Sequence, residues 1–152
     1  MPQVAHVAIV DDDFFVQTAL ASLLQAHGVD ARTYGSAEDF LEALPSGRPD
    51  CLVVDLNMPN MSGLELQREL LRLGARIPTI VVSACGDKCY RDQCRVLGAV
   101  AYLVKPLHPD ALISTITSAM RPNKPVQASD CLETDTNDTF YAQMPSDKHF
   151  GD

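Results

Sequence analysis

Nowhere in the 152 residues does an apolar run approach the roughly 18 positions of a membrane span, so no membrane-crossing segment is expected. Positive charge is also scarce. Twelve Lys and Arg stand against 20 Asp and Glu, a net charge of -8, which argues against nucleic acid as a direct partner. No basic stretch followed by a long apolar one opens the chain, so no secretory leader is expected. Metal-binding spacings are missing too: Cys51, Cys85, Cys89, Cys94 and Cys131 are odd in number and match no zinc pattern, and the four histidines have no ligand spacing. Free thiols in a reducing cytoplasm fit these counts. What is present is ordinary for a globular core, 46% apolar residues, and the length suits one domain followed by a tail.

Apolar runs and helical spacings alternate along the chain. Val4 to Val10 is nearly continuous in apolar character, as a strand buried on both faces should be. Val16, Leu20, Leu23, Leu24 and His27 then follow helical spacing, and Gly28 stops it. Val29 to Tyr34 is a second strand. Ser36 caps a helix whose apolar face is Phe40, Leu41 and Leu44, and Pro45 to Pro49 breaks it. Cys51 to Val54 is the third strand. Ser62 and Glu65 have the spacing of a capping box, opening a helix expected to bury Leu66, Leu70, Leu71 and Leu73 and to end at Gly74. Pro78 to Ser83 is the fourth strand, and Asp87 to Leu97 a polar helix stopped by Gly98. Ala101 to Val104 is the fifth strand. Pro109 starts the last helix, with Leu112, Ile113, Ile116 and Met120 as its apolar face. Five strands alternating with five helices predict an α/β fold with a parallel sheet covered on both faces.

Four strands end in chemistry. The first runs into Asp11-Asp12-Asp13, the third into Asp55, the fourth into Ser83 and the fifth into Lys105-Pro106. Ligands of open parallel sheets sit beyond the strand C-termini, so these tips can share one site. Asp11, Asp12 and Asp55 brought together would repel one another unless a pKa rises or a cation binds. Three carboxylates at a polar, open tip favour Mg²⁺, which takes a few carboxylates and keeps water and a phosphate oxygen. An ammonium and a hydroxyl beside such an ion can hold phosphoryl oxygens, and a carboxylate can itself be the nucleophile.

Asp11-Asp12, Asp55, Ser83, Tyr102 and Lys105-Pro106, in this order, resemble the receiver domain of bacterial response regulators. The segments from Asp55 to Gly63 and from Gly98 to Pro106 are similar to its FixJ-like branch. The resemblance covers residues 4–120 and implies a CheY-like receiver domain over 1–120 with strand order 2-1-3-4-5. It implies that Asp55 is the phosphoacceptor, served by a sensor histidine kinase. Asp12 would bind Mg²⁺ directly and Asp11 partly through water, with Asp55 and the carbonyl of Asn57 as further ligands. Ser83 would bond the phosphoryl group, Lys105 would pair with it, and Tyr102 would turn inward on activation. Lys105-Pro106 would be a cis peptide. The protein would be a phosphoacceptor rather than an enzyme, its output would pass to another protein through the face of the fourth helix, fifth strand and fifth helix, and its first helix would take part in docking the kinase.

Several residues have plainer readings. Asp13 is expected at a helix start rather than as a third ligand, and a redox role for Cys85, Cys89 or Cys94 needs a lowered pKa. Phe14-Phe15 is a departure from the family pattern, and at least one ring is expected near the surface. Lys88, Arg91 and Arg95 are expected to form a basic cluster on the output face. Residues 121–152 carry no helical or alternating period and are expected to be a disordered, polar tail. Nothing there resembles a helix-turn-helix domain, so the competing identity is a DNA-binding regulator that has lost that part. A flavodoxin-like carrier is disfavoured because Asp11-Asp12-Asp13 would repel a flavin phosphate. A phosphatase of the dehalogenase type is disfavoured because Asn57 stands where its acid/base Asp is needed.

Overall fold

The computed structural model describes residues 5–84 and 88–120, apart from the side chain of Cys89. The expected tail, 121–152, lies outside those residues, as do Cys85 and Cys131. The chain runs β1 (His6–Val10), α1 (Phe14–Ala26), β2 (Asp30–Tyr34), α2 (Ala37–Ala43), a 3-10 turn (Leu44–Ser46), β3 (Cys51–Asp55), α3 (Gly63–Leu73), β4 (Thr79–Ser83), α4 (Lys88–Val96), β5 (Ala99–Val104) and α5 (Pro109–Ala119). The strands form one parallel sheet in the order β2-β1-β3-β4-β5. The order reverses between β1 and β3, which puts the crevice of an open α/β sheet between their C-terminal ends.

Successive strand residues point to opposite faces, and every central strand is apolar on both. Ala8, Val10, Leu52, Val54, Val81 and Tyr102 face one layer, where Phe40 of α2, Leu64, Leu66 and Leu70 of α3 and Cys94 of α4 cover them. Val7, Ile9, Val53, Ile80, Val82 and Leu103 face the other, under Leu20 and Leu24 of α1 and Leu112 and Ile116 of α5. Each buried Val, Leu or Ile side chain among these contributes roughly 1.5–3 kcal/mol relative to exposure.

Local chemistry sets the helix ends. The Asp13 carboxylate accepts from Phe15 N and Val16 N at the start of α1, the helix-start role expected of it. Ser62 and Glu65 complete a reciprocal capping box on α3. Gly74 ends that helix in the left-handed region, at φ 71°, where a side chain would be strained.

Two expectations need correction, and the one for Phe14-Phe15 is met by both rings. Leu71 and Leu73 are exposed: Leu71 lies a quarter-turn round from Leu70, and Leu73 is the last residue before the chain turns away at Gly74. Both Phe14 and Phe15 are exposed, at 69% and 80%, because Val16, Leu20, Leu23 and Leu24 already fill the inward stripe of α1. Lys88, Arg91 and Arg95 do not form a surface cluster. Arg91 is buried, 1% exposed, three residues before Cys94 on the inward side of α4, while Lys88 and Arg95 both pair with Asp92, at 3.0 and 3.3 Å. Lys88 and Arg95 stay exposed beside Asp92, and Tyr90 and Val96 of α4 and Val100 of β5 are exposed apolar residues. Val100 is exposed because the β4–β5 register skips it, Thr79 pairing with Ala99 and Ile80 with Ala101.

Candidate functional site

Strand register brings the tips together. Val10 pairs with Val54, so the next residues, Asp11 and Asp55, leave adjacent parallel strands side by side. Asp55 itself pairs with Val82, placing Ser83 one residue beyond it on β4. Ser83 pairs with Val104, and the backbone N–H of Lys105 donates to the Ser83 carbonyl at 2.8 Å. Four strands thus deliver Asp11, Asp55, Ser83 and Lys105 to one end of the sheet.

The loop after β3 closes tightly behind Asp55. Gly63 N–H donates to the Leu56 carbonyl at 2.9 Å. A Cβ at Gly63 would lie 2.8 Å from the Asp55 carbonyl oxygen and 3.0 Å from the Leu56 Cα. Only glycine lets α3 begin this close to the acidic tip. Asn60, at φ 70°, makes the left-handed step in the intervening loop, a conformation asparagine tolerates better than most residues.

Asp11, Asp12 and Asp55 each offer a carboxylate oxygen within 4.8 Å of the others. Asp11 and Asp55 are buried and Asp12 is exposed. Lys105 Nζ stands 3.7 Å from Asp11 Oδ2 and 3.6 Å from Asp55 Oδ2, bridging the two buried acids. Burial raises the Asp55 carboxyl pKa above its ordinary value, and the charge of Asp11 adds to it, against the lowering effects of Lys105 and the Asn57 N–H. Asp11 is also raised, chiefly by burial, with the Asp13 N–H and Lys105 opposing. One ammonium therefore does not compensate the cluster. The donor set, hard carboxylate oxygens with one open side, fits a small divalent cation.

The other expected residues take different positions. Ser83 and Tyr102 are fully buried. Asn57 is exposed, and its backbone N–H donates to Asp55 Oδ1 at 3.2 Å. The Lys105–Pro106 peptide is cis. Cys94 is buried with its thiol pushed up to about 12 by desolvation, and Cys51 likewise, which removes the thiolate that a redox role for Cys94 requires.

Two glutamines had drawn no attention in the sequence. Gln17 Nε2 donates to the Asp11 carbonyl oxygen at 2.6 Å. Gln67, buried in α3, donates through Nε2 to the Cys94 carbonyl at 3.1 Å. Gly98 N–H goes to the Arg95 carbonyl, so Gln67 supplies the donor to a carbonyl in the last turn of α4. Neither glutamine interrupts a helical period, so pattern alone carries no trace of these contacts.

The profile of the response regulator receiver domain matches residues 7–117. The response regulator protein TodT of Pseudomonas putida is 36% identical over 115 residues, 76% of this chain and 51% of TodT. The transcriptional regulatory protein FixJ of Azorhizobium caulinodans is 37% identical over 121 residues, 79% of this chain and 57% of FixJ. The chain thus spans little more than half the length of these curated relatives. Among solved structures, FixJ-N is 37% identical with a TM-score of 0.74, covering 82% of this chain and 100% of that one. A receiver protein from Burkholderia phymatum is 38% identical with a TM-score of 0.69, covering 80% and 99%. The chain belongs to the response regulator receiver domain family.

Proposed function

We propose that this receiver takes a phosphoryl group from the phosphohistidine of a sensor kinase onto the Asp55 carboxylate, in the presence of Mg²⁺, and thereby changes its contacts with a partner protein. The observation that carries this is the group of three carboxylates with ligand atoms within 4.8 Å, bridged on its buried side by Lys105. A carboxylate oxygen of Asp55 attacks phosphorus. The bond from phosphorus to the imidazole nitrogen breaks, its electron pair returns to the ring, and an acyl phosphate stands on Asp55. Asp11, Asp12 and Asp55, with the Asn57 carbonyl, would hold Mg²⁺. When bound, Mg²⁺ supplies the positive charge that offsets the acids and the phosphoryl oxygens. Lys105 leaves its bridge to pair with a phosphoryl oxygen, and the Ser83 hydroxyl donates to another. The side chain of Asp55 is consumed as acceptor, so the protein is a phosphoacceptor that assists its own modification rather than an enzyme acting on a separate substrate.

Output passes through α4, β5 and α5. Ser83 and Tyr102 lie on the two strands that end beneath that face, so a pull on Ser83 is felt where Tyr90, Val96 and Val100 are exposed. That surface suits an apolar patch on a protein better than a duplex, which needs several cationic contacts. No helix among the described residues is long and apolar enough to cross a membrane, and a kinase-fed receiver of this kind works in the cytoplasm. A second reading, a DNA-binding regulator, draws on relatives such as FixJ, whose name is that of a transcriptional regulatory protein and of which the chain covers 57%.

Mass spectrometry after incubation with acetyl phosphate or a phosphorylated histidine kinase tests the proposal. Wild type gains one phosphoryl group with Mg²⁺ and none with a chelator, and Asp55→Asn gains none. Equal labelling of both proteins, or labelling that survives the chelator, would overturn it.

A further inference from the structure

The turn between β1 and α1 carries two of the three acids, and a residue outside the phosphoryl chemistry holds its shape. Gln17 lies in the first turns of α1, half-buried, and its Nε2 donates to the Asp11 carbonyl oxygen at 2.6 Å. On the strand side the Asp11 N–H donates to the Tyr34 carbonyl at 3.1 Å. Within the turn, Asp11 Oδ1 accepts from the Asp13 N–H at 2.8 Å, and Asp13 in turn caps α1. The Asp11 carbonyl belongs to the peptide plane that joins Asp11 to Asp12. That plane cannot rotate without breaking the Gln17 hydrogen bond, and its orientation sets the direction in which the Asp12 side chain leaves the backbone. Asp12 needs such help: it is the exposed acid of the three, and among the described residues no hydrogen bond or ion pair holds its carboxylate.

We propose that Gln17 is a positioning residue for the divalent-cation site, fixing the Asp11–Asp12 peptide so that the Asp12 carboxylate meets the ion together with Asp11 and Asp55. This rests on the reading of the three acids as a Mg²⁺ site. Gln17 touches neither ion nor phosphoryl group. It acts as outer-sphere partners of metal ligands do, by removing the reorganisation a loose ligand must undergo on binding. A glutamine fits the task because its amide reaches a carbonyl from a helix without bringing a charge next to a cation.

The experiment is a MgCl₂ titration of the full chain followed by amide NMR, with wild type, Gln17→Met and Gln17→Glu. Thermal midpoints in chelator are measured in parallel. Methionine keeps the length and removes the donor. Glutamate keeps the shape, removes the donor and adds a negative charge, which by simple attraction would tighten a cation. Both variants are expected to bind Mg²⁺ about 10-fold more weakly than wild type, whatever the change in their metal-free midpoints. A merely structural tie between α1 and β1 would lower the metal-free midpoint and leave Mg²⁺ affinity alone. Unchanged affinity in Gln17→Met, or tighter binding in Gln17→Glu, would overturn the proposal. A wild type that shows no Mg²⁺-dependent shifts would instead overturn the cation site itself.

Discussion

At the scale of single residues, the acids at the strand tips are held at a cost. Asp55 and Asp11 both have raised carboxyl pKa values, burial being the main cause. Their native forms therefore keep protons to higher pH than the unfolded chain does. Stability from these two groups is complete below the ordinary carboxylate value of 3.8 and is lost as pH rises through their raised native values. In chelator, Asp55→Asn is expected to raise Tm at pH 8 by a few degrees, about 1.4 kcal/mol for each pKa unit of strain relieved, and the gain should shrink as pH falls toward the ordinary value. Denaturation scans of both proteins across that range check it; equal Tm values at pH 8 would mean that the acids do not strain one another. A second residue-scale expectation concerns Phe14 and Phe15. Two exposed rings in edge-to-face contact, 6.2 Å apart, open the helix on which the kinase is expected to dock, and aromatic side chains often dominate binding energy. Replacing both with Ser should slow transfer from the kinase at least tenfold, as loss of about 1.4 kcal/mol of docking energy would, while labelling by acetyl phosphate stays at the wild-type rate. An equal loss with both donors would assign the pair to the fold instead.

At the scale of elements, α3 ties the Asp55 tip of β3 to α4. Its first residue, Gly63, leaves no room for a Cβ beside the Asp55 carbonyl, and one turn later Gln67 reaches the last turn of α4. Gly63→Ala should force α3 away from the β3 tip, at about 1–3 kcal/mol of stability, and should slow phosphoryl uptake because the Asp55 backbone moves with it. Urea denaturation and labelling rates check this, and a variant with wild-type stability would show that the loop yields freely. The strand tips were legible in the sequence because an apolar run halted by a charged or hydroxyl residue is a local signal. So were the ends of α1 and α3, where Asp13, Ser62, Glu65 and Gly74 act on their own neighbours. The faces of the helices were less legible. Leu71 and Leu73 match an apolar period and yet are exposed, and Arg91 breaks one and yet is buried, because the reach of the sheet beneath each helix decides burial. Val100 could not be assigned a face without the skipped register of β4 and β5.

At the scale of the molecule, the two cores seen among the described residues lie on either side of one sheet, each under a helix layer. Because residues 121–152 are polar and carry no helical or alternating period, deleting them is expected to leave Tm within a degree or so of the full chain and phosphoryl uptake unchanged; a large loss of either would show that the segment contributes to the fold. The same variant and the full chain should both fail to retain duplex DNA at physiological salt, since Lys88 and Arg95 are engaged with Asp92 and Arg91 is buried. Salt-sensitive, sequence-specific retention by the full chain would favour the DNA-binding reading. The central claim, that four strand tips form a phosphoacceptor site on Asp55, is tested most directly by trapping the acyl phosphate. Borohydride reduces an acyl phosphate to the alcohol, so a phosphorylated aspartate becomes homoserine and can be located by peptide sequencing in a mass spectrometer. After treatment with acetyl phosphate and Mg²⁺, homoserine is expected at position 55 alone, and at no position when a chelator replaces Mg²⁺. Homoserine at position 11 or 12, or at position 55 without the metal, would contradict the account.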